Sequence, residues 1–508
     1  MSSQSELDIL LISPGSRMKI YQNLGKSLTA VEPPVWAGLM ATYIRNKGFR
    51  PAILDTEAEM MDPEAAARRI VEMKPKLAAI VVYGHQPSAS TQNMTGASAI
   101  ATAIKALAPD LPLIMVGGHV AALPERTMAE ENVDFVAQGE GLETLHDLLL
   151  ALDQPEPDFS QVPDLWYRKQ GKAVRSLKFA PLFKALNEEM HNVAWDLLPM
   201  DKYRAHNWHT FGHLNREPYA AIYTTLGCPY KCSFCCIQAP FKSGESMLGY
   251  SEKVNSYRFW SPDNVIAQID TLVKDYGVSN IKIADEMFVL NARHINGICD
   301  RIIERGYKLN IWAYARVDTV KTEMLDKLKQ AGVNWLALGI ESASATVRDG
   351  VDKGYSQELI FDTVRKIQAA GINVIGNYIF GLPDDNLATM QETLDMALEL
   401  NCEMANFYCA MAYPGSQLYE QAVRENWPLP ETWSGYSQHA FDSLPLPTHH
   451  LSGGEVLKFR DEAFHTYFSS EGYLSMVEDR FGAETREHIE SFTKYRLPRK
   501  YIAAEVKS

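Results

Sequence analysis

Short apolar segments alternate with helix-like segments over the first 150 residues. Apolar runs lie at residues 7–13, 51–55, 77–83, 111–117 and 133–139, and stretches such as PPVWAGLMATYIRNKG and TGASAIATAIKALAP separate them. Strands that are apolar throughout and alternate with helices form parallel sheets covered on both faces. The pattern predicts a doubly wound parallel sheet over residues 1–152, with ligands at the carboxyl ends of its strands.

A second alternation of strands and helices begins at residue 219. Strand-like runs lie at residues 219–225, 280–285, 309–315, 334–340, 372–380 and 403–410. The helix at 357–370 has a predicted N-cap at Ser356 and a stop at Gly371. Six consecutive βα units predict a partial (β/α)6 barrel of the TIM type over residues 219–425, with functional residues in the loops after the strands.

Two segments depart from this alternation. Residues 153–218 are rich in proline, tryptophan and charge, and they predict a connector that contains a small hairpin. Residues 426–508 are mixed and aromatic, and we expect a mainly helical accessory region that contacts the substrate. The predicted fold class is therefore α/β, with a doubly wound sheet, a partial barrel and a mainly helical C-terminal region.

The composition and charge of the chain argue against nucleic acids and membranes as partners. The net charge of −14 lacks the basic excess that nucleic-acid binding needs, so no nucleic-acid partner is expected. No run of 18 apolar residues is present, and the start MSSQSELDILLIS lacks the basic segment of a secretion signal. These features predict a cytoplasmic protein without a membrane span.

Four of the seven cysteines are crowded into TTLGCPYKCSFCCIQAP, residues 224–240. Cys228, Cys232 and Cys235 have the spacing Cys-x3-Cys-x2-Cys, and Cys236 follows directly. A structural zinc site commonly uses two separated pairs of ligands, and the chain has no second pair of cysteines. The glycine, proline and lysine of this loop do not suit a segment of buried thiols. The spacing favours a [4Fe-4S] cluster with three thiolates and one open iron.

This motif resembles that of the radical S-adenosylmethionine (SAM) superfamily, in which it follows the first strand of a partial barrel. The resemblance implies that Cys228, Cys232 and Cys235 hold the cluster, that its open iron binds SAM, and that Cys236 is a bystander. It also places Phe234 beside the adenine. Reduction of the cluster, by a donor such as flavodoxin or ferredoxin, would cleave SAM to a 5′-deoxyadenosyl radical.

Later strand ends carry residues that the resemblance assigns to SAM. Arg316 in YARVD offers a guanidinium to the methionine carboxylate, and Glu341 in GIESAS offers a carboxylate to a ribose hydroxyl or to the amino group. Asp285 and Glu286 in ADEMF take the place of the family's Gly-Gly-Glu motif and are expected at the methionine amine. Gly381 in GNYIFGLPDD belongs to the segment expected near the adenine.

The first domain resembles the cobalamin-binding domain that precedes the barrel in one large subgroup of this superfamily. Gly117 and Gly118 follow the fourth strand, and Gly139 and Glu140 follow the fifth. Glycine lets a ligand approach the backbone closely, and the resemblance places these three glycines and Glu140 at cobalamin. No Gly-x-Gly-x-x-Gly follows the first strand, which argues against a nicotinamide dinucleotide.

One motif of cobalamin domains is altered. Domains that supply a histidine as lower ligand of cobalt carry Asp-x-His-x-x-Gly after the second strand, whereas this chain has DTEAEM, with Glu57 at the histidine position. We therefore expect no lower ligand from this motif. His85 and His119, after the third and fourth strands, are either cobalt contacts or ordinary loop residues.

Together the resemblances imply a cobalamin-dependent radical SAM enzyme that methylates an unactivated carbon of a small-molecule substrate, such as a natural product, a lipid or a tetrapyrrole. One SAM would methylate cobalamin, and a second would generate the radical that takes hydrogen from the substrate. An oxidative cyclase or rearrangement enzyme with the same cofactors is the alternative. A methylthiotransferase ranks lower, because residues 1–227 contain no cysteine. A non-catalytic corrinoid or iron–sulfur sensor also ranks lower.

Overall fold

The computed structural model describes residues 7–26, 28–212 and 215–505. The expectation about a secretion signal concerns in part the first six residues, which lie outside this range. In the described part of the chain, no helix combines the length and the apolar character that a membrane crossing requires.

The N-terminal sheet has seven strands in the order β2-β1-β3-β4-β5-β6-β7. Its strands are β1 (Ile9–Ser13), β2 (Pro51–Asp55), β3 (Leu77–Val81), β4 (Leu113–Val116), β5 (Phe135–Ala137), β6 (Leu165–Lys169) and β7 (Lys172–Arg175). The helices are α1 (Arg17–Tyr21), α2 (Val35–Asn46), α3 (Pro63–Met73), α4 (Pro87–Leu107), α5 (Gly118–Ala122), α6 (Pro124–Glu130) and α7 (Leu142–Leu152). Strands β1 to β5 are parallel. Alternate residues such as Leu10 and Leu11 pack into separate cores on the two faces, which confirms the doubly wound sheet.

The predicted hairpin is present but belongs to the first sheet. Strand β6 pairs antiparallel with β5, and β7 pairs with β6. The short β5 would otherwise leave its backbone groups unpaired at the edge of the sheet. The sheet therefore continues past the predicted boundary at residue 152, and the rest of the connector, where it is described, contains α8 (Leu186–Glu189) and short 3-10 turns.

The second sheet has six parallel strands in the order β15-β14-β13-β12-β11-β8. The strands of this region are β8 (Tyr219–Ile222), β9 (Thr225–Gly227), β10 (Tyr257–Phe259), β11 (Asn280–Ile283), β12 (Asn310–Arg316), β13 (Val333–Glu341), β14 (Asn373–Phe380) and β15 (Met404–Cys409). Its helices are α9 (Lys242–Met247), α10 (Pro262–Tyr276), α11 (Ala292–Arg305), α12 (Thr322–Gln330), α13 (Ala345–Asp349), α14 (Gln357–Ala369), α15 (Leu387–Leu400) and α16 (Gln417–Arg424). This order confirms the predicted βα series. Strands β9 and β10 form a separate antiparallel pair.

The C-terminal region is helical, as expected. It contains α17 (Gly453–Phe468), α18 (Glu471–Phe481), α19 (Ala483–Thr493) and α20 (Lys500–Glu505). Helix α17 lies against β15, where Tyr467 donates a hydrogen bond to the carbonyl of Cys402 at 2.6 Å. Phe407 stacks on Phe380 and meets Tyr467 edge-on. These contacts set α17 alongside β15.

Candidate active site

A cavity of about 580 Å³ lies where the first domain, the barrel and the C-terminal region meet. Side chains at or near the carboxyl ends of the strands line it from both sheets, as expected for parallel α/β folds. The first domain contributes Tyr21, Glu32, His85, Gln86 and Gln92. The barrel contributes Cys228, Cys232, Cys235, Glu286, Arg316 and Glu341, and the C-terminal region contributes His439, Arg460, Phe464 and Arg496.

The cysteine loop follows β9 and presents its three predicted ligands to the cavity. It starts at Gly227, whose φ is +85° and where a Cβ would lie 2.3 Å from the carbonyl oxygen of Ser256. Only glycine fits such a position. The amide of Cys228 donates to Gln238 Oε1 at 3.1 Å, and the amide of Cys235 donates to the carbonyl of Cys232 at 3.0 Å. Cys236 also borders the cavity.

The three thiols suit an iron–sulfur cluster better than a single metal ion. Among the described residues, no group of three or more His, Cys, Asp or Glu side chains could hold one metal ion. Each thiolate of a cluster binds a different iron atom, so its ligands need not converge on one point. Burial raises the pKa of Cys228 to about 12, which leaves a neutral thiol until a metal displaces its proton.

Arg316 ends β12 beside the cysteine loop. Its Nη1 lies 3.6 Å from Cys232 Sγ, and its Nε donates to Asp318 Oδ1 at 2.8 Å. The guanidinium carbon lies 4.3 Å from the ring centroid of Tyr230. These contacts hold a cation next to the predicted cluster, where the sequence placed it.

Glu341 is the last residue of β13 and has a φ of +65°. Its Oε1 lies 2.5 Å from Lys353 Nζ, and both side chains are buried. Lys353 Nζ also lies 5.9 Å from the ring centroid of Phe234, and all three residues line the cavity. Lys353 was not predicted, because nothing in the surrounding residues VDKGY indicates that this lysine is buried.

Asp285 and Glu286 have different environments. Both carboxylate oxygens of Asp285 accept hydrogen bonds from Thr224 and Thr225, and Asp285 does not line the cavity. Glu286 lines the cavity, and its buried Oε1 has no hydrogen-bond partner among the described residues. Burial raises the pKa of Glu286 to about 8, against the opposing effect of Lys282. Of this pair, only Glu286 lines the cavity, while the Asp285 carboxylate is satisfied within the protein.

Three of the predicted glycines serve backbone packing. A Cβ would lie 2.2 Å from the carbonyl oxygen of Val82 at Gly117, 2.7 Å from a carboxylate oxygen of Asp164 at Gly139, and 2.5 Å from Val456 Cγ1 at Gly381. None of these glycines lines the main cavity. Gly118 borders a smaller cavity of about 40 Å³, which it shares with His85 and Cys236. Only Gly118 is thus close to an open space.

Glu140 joins the two domains. Its two carboxylate oxygens accept from Arg258 Nη1 and Nη2 at 3.1 and 2.9 Å, and both side chains are buried. A bidentate pair of this kind satisfies the carboxylate within the protein. Glu140 thus forms an ion pair with β10, and its contact with cobalamin stays a prediction.

Of the first-domain residues that line the cavity, only His85 was singled out from the sequence. Glu32 contacts Lys282 Nζ at 3.1 Å and His85 Nδ1 at 3.0 Å, and it accepts a hydrogen bond from Tyr219 at 2.7 Å. Burial raises the pKa of Glu32, but Lys282 and His85 together hold it well below its ordinary value. The sequence shows no motif for this network, because its members are far apart in the chain.

In the described structure, the altered motif after β2 presents Glu57 where other cobalamin domains have a histidine. Glu57 accepts from the amides of Ser16 and Arg17 and forms an ion pair with the Arg17 side chain at 2.9 Å. His119 is buried beside Trp433, does not line the main cavity, and has a pKa that burial lowers to about 3. His85 does line the cavity, with its Nε2 2.8 Å from the carbonyl of Pro33 and its Nδ1 at Glu32.

Comparisons with known proteins agree with this division. The family "B12 binding domain" matches residues 23–149, and "Radical SAM superfamily" matches residues 222–397. The chain thus contains a B12-binding domain followed by a radical SAM domain. Its cofactors are accordingly a [4Fe-4S] cluster, SAM and cobalamin, and the protein is a methyltransferase-like radical SAM enzyme.

Two relatives are similar over most of their length. The "Uncharacterized methyltransferase PH0819" of Pyrococcus horikoshii is 28% identical over 463 residues, which cover 91% of this chain and 92% of the relative. The anaerobic magnesium-protoporphyrin IX monomethyl ester cyclase of Rubrivivax gelatinosus is 24% identical over 422 residues, which cover 81% and 69%.

Two solved structures show the same fold. The radical SAM methyltransferase TsrM from Kitasatospora setae, with cobalamin and [4Fe-4S] cluster bound, has a TM-score of 0.65 at 16% identity, covering 96% of this chain and 99% of TsrM. The cobalamin-dependent radical enzyme OxsB has a TM-score of 0.68 at 16% identity, covering 96% of this chain and 71% of OxsB.

Proposed function

We propose that this B12-binding radical SAM protein is a C-methyltransferase that acts on an unactivated carbon of a small molecule. The observation that carries the proposal is the cavity that borders both the cysteine loop and the strand-end loops of the B12-binding domain. A substrate in it would face both cofactors at once. The similarity to a methyltransferase over 91% of the chain supports the same choice.

The lining residues suggest how the cofactors are held. Cys228, Cys232 and Cys235 would hold the cluster, with Arg316 at the methionine carboxylate and Glu286 at the amine. The remaining contacts would be Glu341 at a ribose hydroxyl and Phe234 at the adenine. When bound, the cluster and SAM would supply the deoxyadenosyl radical, and cobalamin would supply the methyl group. The reductant would be a flavodoxin or ferredoxin in the cytoplasm.

The protein itself would orient the substrate and exclude water. Gln86 Nε2 donates to Tyr314 Oη at 2.5 Å, which joins the loop after β3 to the barrel strand β12 at the cavity. Helices α17 and α19 contribute Phe464 and Phe492 to the cavity wall. Such walls protect a radical from side reactions with solvent.

An oxidative cyclase is the second candidate, because the relative from Rubrivivax gelatinosus is a cyclase that matches 81% of this chain. The two candidates differ in the fate of the methyl group. A cyclase would consume SAM to 5′-deoxyadenosine without placing a methyl group on its product.

The experiment uses the reconstituted protein under anaerobic conditions with SAM that carries a ¹³C-methyl group, a chemical reductant and a small-molecule extract of the source cells. We expect both 5′-deoxyadenosine and a new ¹³C-methylated compound by mass spectrometry. A sample with the Cys235→Ala variant is the control and should give neither. Formation of 5′-deoxyadenosine with an unlabelled, oxidised product would instead establish the cyclase.

A further inference from the structure

At the C-terminal wall of the cavity, Arg460 shares one carboxylate with a second buried arginine, Arg499, which does not itself line the cavity. Arg460 and Arg499 are 5% and 6% exposed. Arg499 binds Asp461 through Nε and Nη2, both at 2.8 Å, and Arg460 Nη1 donates to Asp461 Oδ1 at 3.0 Å. These three residues therefore have a net charge of +1 in a buried position.

The other buried cations of the cavity wall each have a carboxylate of their own. Lys282 pairs with Glu32, Lys353 pairs with Glu341, and Arg316 pairs with Asp318. The excess of positive charge thus lies at the C-terminal wall, in a protein whose net charge is −14. The excess of positive charge is therefore local to one side of the cavity.

The neighbouring His439 leaves the positive charge of this wall unchanged. Burial, together with Arg460 and Arg499, lowers the pKa of His439 well below its ordinary value, so His439 is neutral. At the mouth of the cavity, the exposed Arg496 contacts the ring of His465 and the carbonyl of Thr493. Arg496 adds a further positive charge to the same wall.

Arg460 keeps donors free for a ligand. Its Nε donates to the carbonyl of Phe407 at 2.8 Å and its Nη1 to Asp461, whereas no described residue accepts a hydrogen bond from its Nη2. Arg460 lines the cavity, and guanidinium groups bind carboxylates and phosphates through paired donors. A buried charge without full compensation is costly unless an anion completes its surroundings.

Arg460 also borders apolar and aromatic side chains. Its guanidinium carbon lies 5.5 Å from the ring centroid of Phe464, and the same side of the cavity presents Phe492, Leu497 and Tyr495. A ligand at this wall would therefore combine an anionic group with an apolar body.

We propose that Arg460 binds an anionic group of the substrate, a carboxylate or a phosphoryl group, while the apolar body of the substrate lies against Phe464 and Phe492. The inference rests on the proposed function in that it places the substrate in the same cavity. It names the chemical class of substrate that the enzyme accepts.

The test compares three probes on the cofactor-loaded protein by titration calorimetry. The probes are 4-phenylbutyrate, phenylphosphonate and the uncharged 4-phenylbutyramide. We expect at least one anionic probe to bind about tenfold more tightly than the amide, because a charged acceptor forms a stronger hydrogen bond to a buried guanidinium than a neutral amide does. The better of the two anions identifies the group as a carboxylate or a phosphoryl group.

Substitutions of Arg460 test whether this residue causes the preference for anionic probes. Arg460→Gln should reduce the preference for the anion to less than about twofold, and Arg460→Lys should keep part of it, because lysine retains the charge but lacks the paired donors. Arg486→Gln is the matched control, since Arg486 pairs with Glu471, Glu478 and Glu490 and does not line the cavity. It should behave as the wild type does.

Equal affinity of the wild type for 4-phenylbutyrate, phenylphosphonate and the amide would overturn the inference, as would an undiminished preference in Arg460→Gln. If Arg460→Gln does not fold, Arg460→Lys with the wild-type anion preference would count against it. The calorimetry reads neither SAM cleavage nor methyl transfer. Methyl transfer without anion preference would therefore refute only this inference, and anion preference without methyl transfer would refute only the C-methyltransferase proposal.

Discussion

At the scale of single residues, polar side chains hold the cysteine loop in place. Gln238 accepts from the amide of Cys228, and its Nε2 donates to Glu245 Oε1 at 2.6 Å. Glu245 Oε1 in turn accepts from the amide of Ser256 at 2.6 Å. The protein therefore orients its candidate ligands through its own hydrogen bonds, as a preorganised site requires.

The cysteine variants should separate ligands from the bystander. Alanine at Cys228, Cys232 or Cys235 should abolish cluster assembly, whereas Cys236→Ala should keep about four irons per chain, because three thiolates suffice in the predicted site. Iron analysis and electron paramagnetic resonance after anaerobic reconstitution measure the outcome. The assignment is wrong if Cys236→Ala loses as much iron as Cys235→Ala.

The buried pair of Glu341 and Lys353 should control SAM affinity. Lys353→Met leaves the Glu341 carboxylate buried without its cation, and Glu341→Gln removes the negative charge, so both variants should weaken SAM binding. We expect about a tenfold loss, which corresponds to about 1.4 kcal/mol, with iron content unchanged. Calorimetry with SAM measures the loss.

Lys366→Met provides the control for this pair. Lys366 lies 2.6 Å from Asp362 on the exposed face of α14, so its removal should leave SAM affinity as it is. Unchanged affinity in both Lys353→Met and Glu341→Gln would contradict the placement of SAM at this wall.

At the scale of elements, the turn after β2 shows how the altered cobalamin motif is stabilised. Asp55, the last residue of β2, accepts from the amides of Glu57 and Ala58 at 3.1 and 3.2 Å. It also accepts from the Tyr203 hydroxyl of the connector at 3.0 Å. A single carboxyl group thus closes the turn and attaches the connector to the first sheet.

Asp55 should make stability depend on pH. Burial raises its pKa to about 7, above its ordinary value, so the folded protein binds this proton more tightly than the unfolded chain does. The group therefore contributes stability at low pH, and this contribution falls as the pH rises through about 7. From pH 5 to pH 8 the loss is roughly 2–3 kcal/mol.

Asp55→Asn should remove that slope. Urea unfolding at pH 5, 6, 7 and 8 should show the variant gaining on the wild type as the pH rises. Asp62→Asn, which changes the exposed N-cap of α3, is the control and should follow the wild-type profile. Parallel profiles for Asp55→Asn and the wild type would show that Asp55 is ionised throughout this range.

At the scale of the whole molecule, polar contacts join the first domain to the barrel on several sides of the cavity. Glu32 reaches Lys282, Gln86 reaches Tyr314, and Glu140 reaches Arg258. Each contact links a loop of the first sheet to a strand of the second region. The shape of the cavity therefore depends on polar side chains from both domains.

The Glu140–Arg258 pair should stabilise this arrangement. Its side chains are 6% and 8% exposed, so Arg258→Met would leave a carboxylate buried without a partner. Such a change costs about 3–5 kcal/mol. In chemical denaturation, the double variant Glu140→Gln with Arg258→Met should lose less than the sum of the single variants, because no unpaired charge remains.

Arg45→Met is the matched control for that pair. Arg45 also forms two hydrogen bonds to one carboxylate, that of Asp196, but the two side chains are 43% and 59% exposed. Exposed pairs contribute at most about 1 kcal/mol. An equal loss in Arg45→Met and Arg258→Met would mean that burial does not decide the effect.

The sequence by itself determined the two α/β regions, their order and the three cysteines of the cluster motif. These features are local, because apolar periodicity and the spacing of cysteines can be read within a few tens of residues. The helix start predicted at Ser356 is also a local feature. The Ser356 hydroxyl accepts a hydrogen bond from the amide of Leu359 at 3.3 Å.

Only the tertiary structure decided which polar residues face the cavity. Glu140 pairs with Arg258, 118 residues further along the chain, and Lys353 reaches Glu341 from a loop that has no motif. At Gly117 and Gly381, neighbouring atoms of the protein occupy the place that a Cβ would take. Charge pairing and close packing depend on distances between remote elements, and a local pattern of residues does not contain those distances.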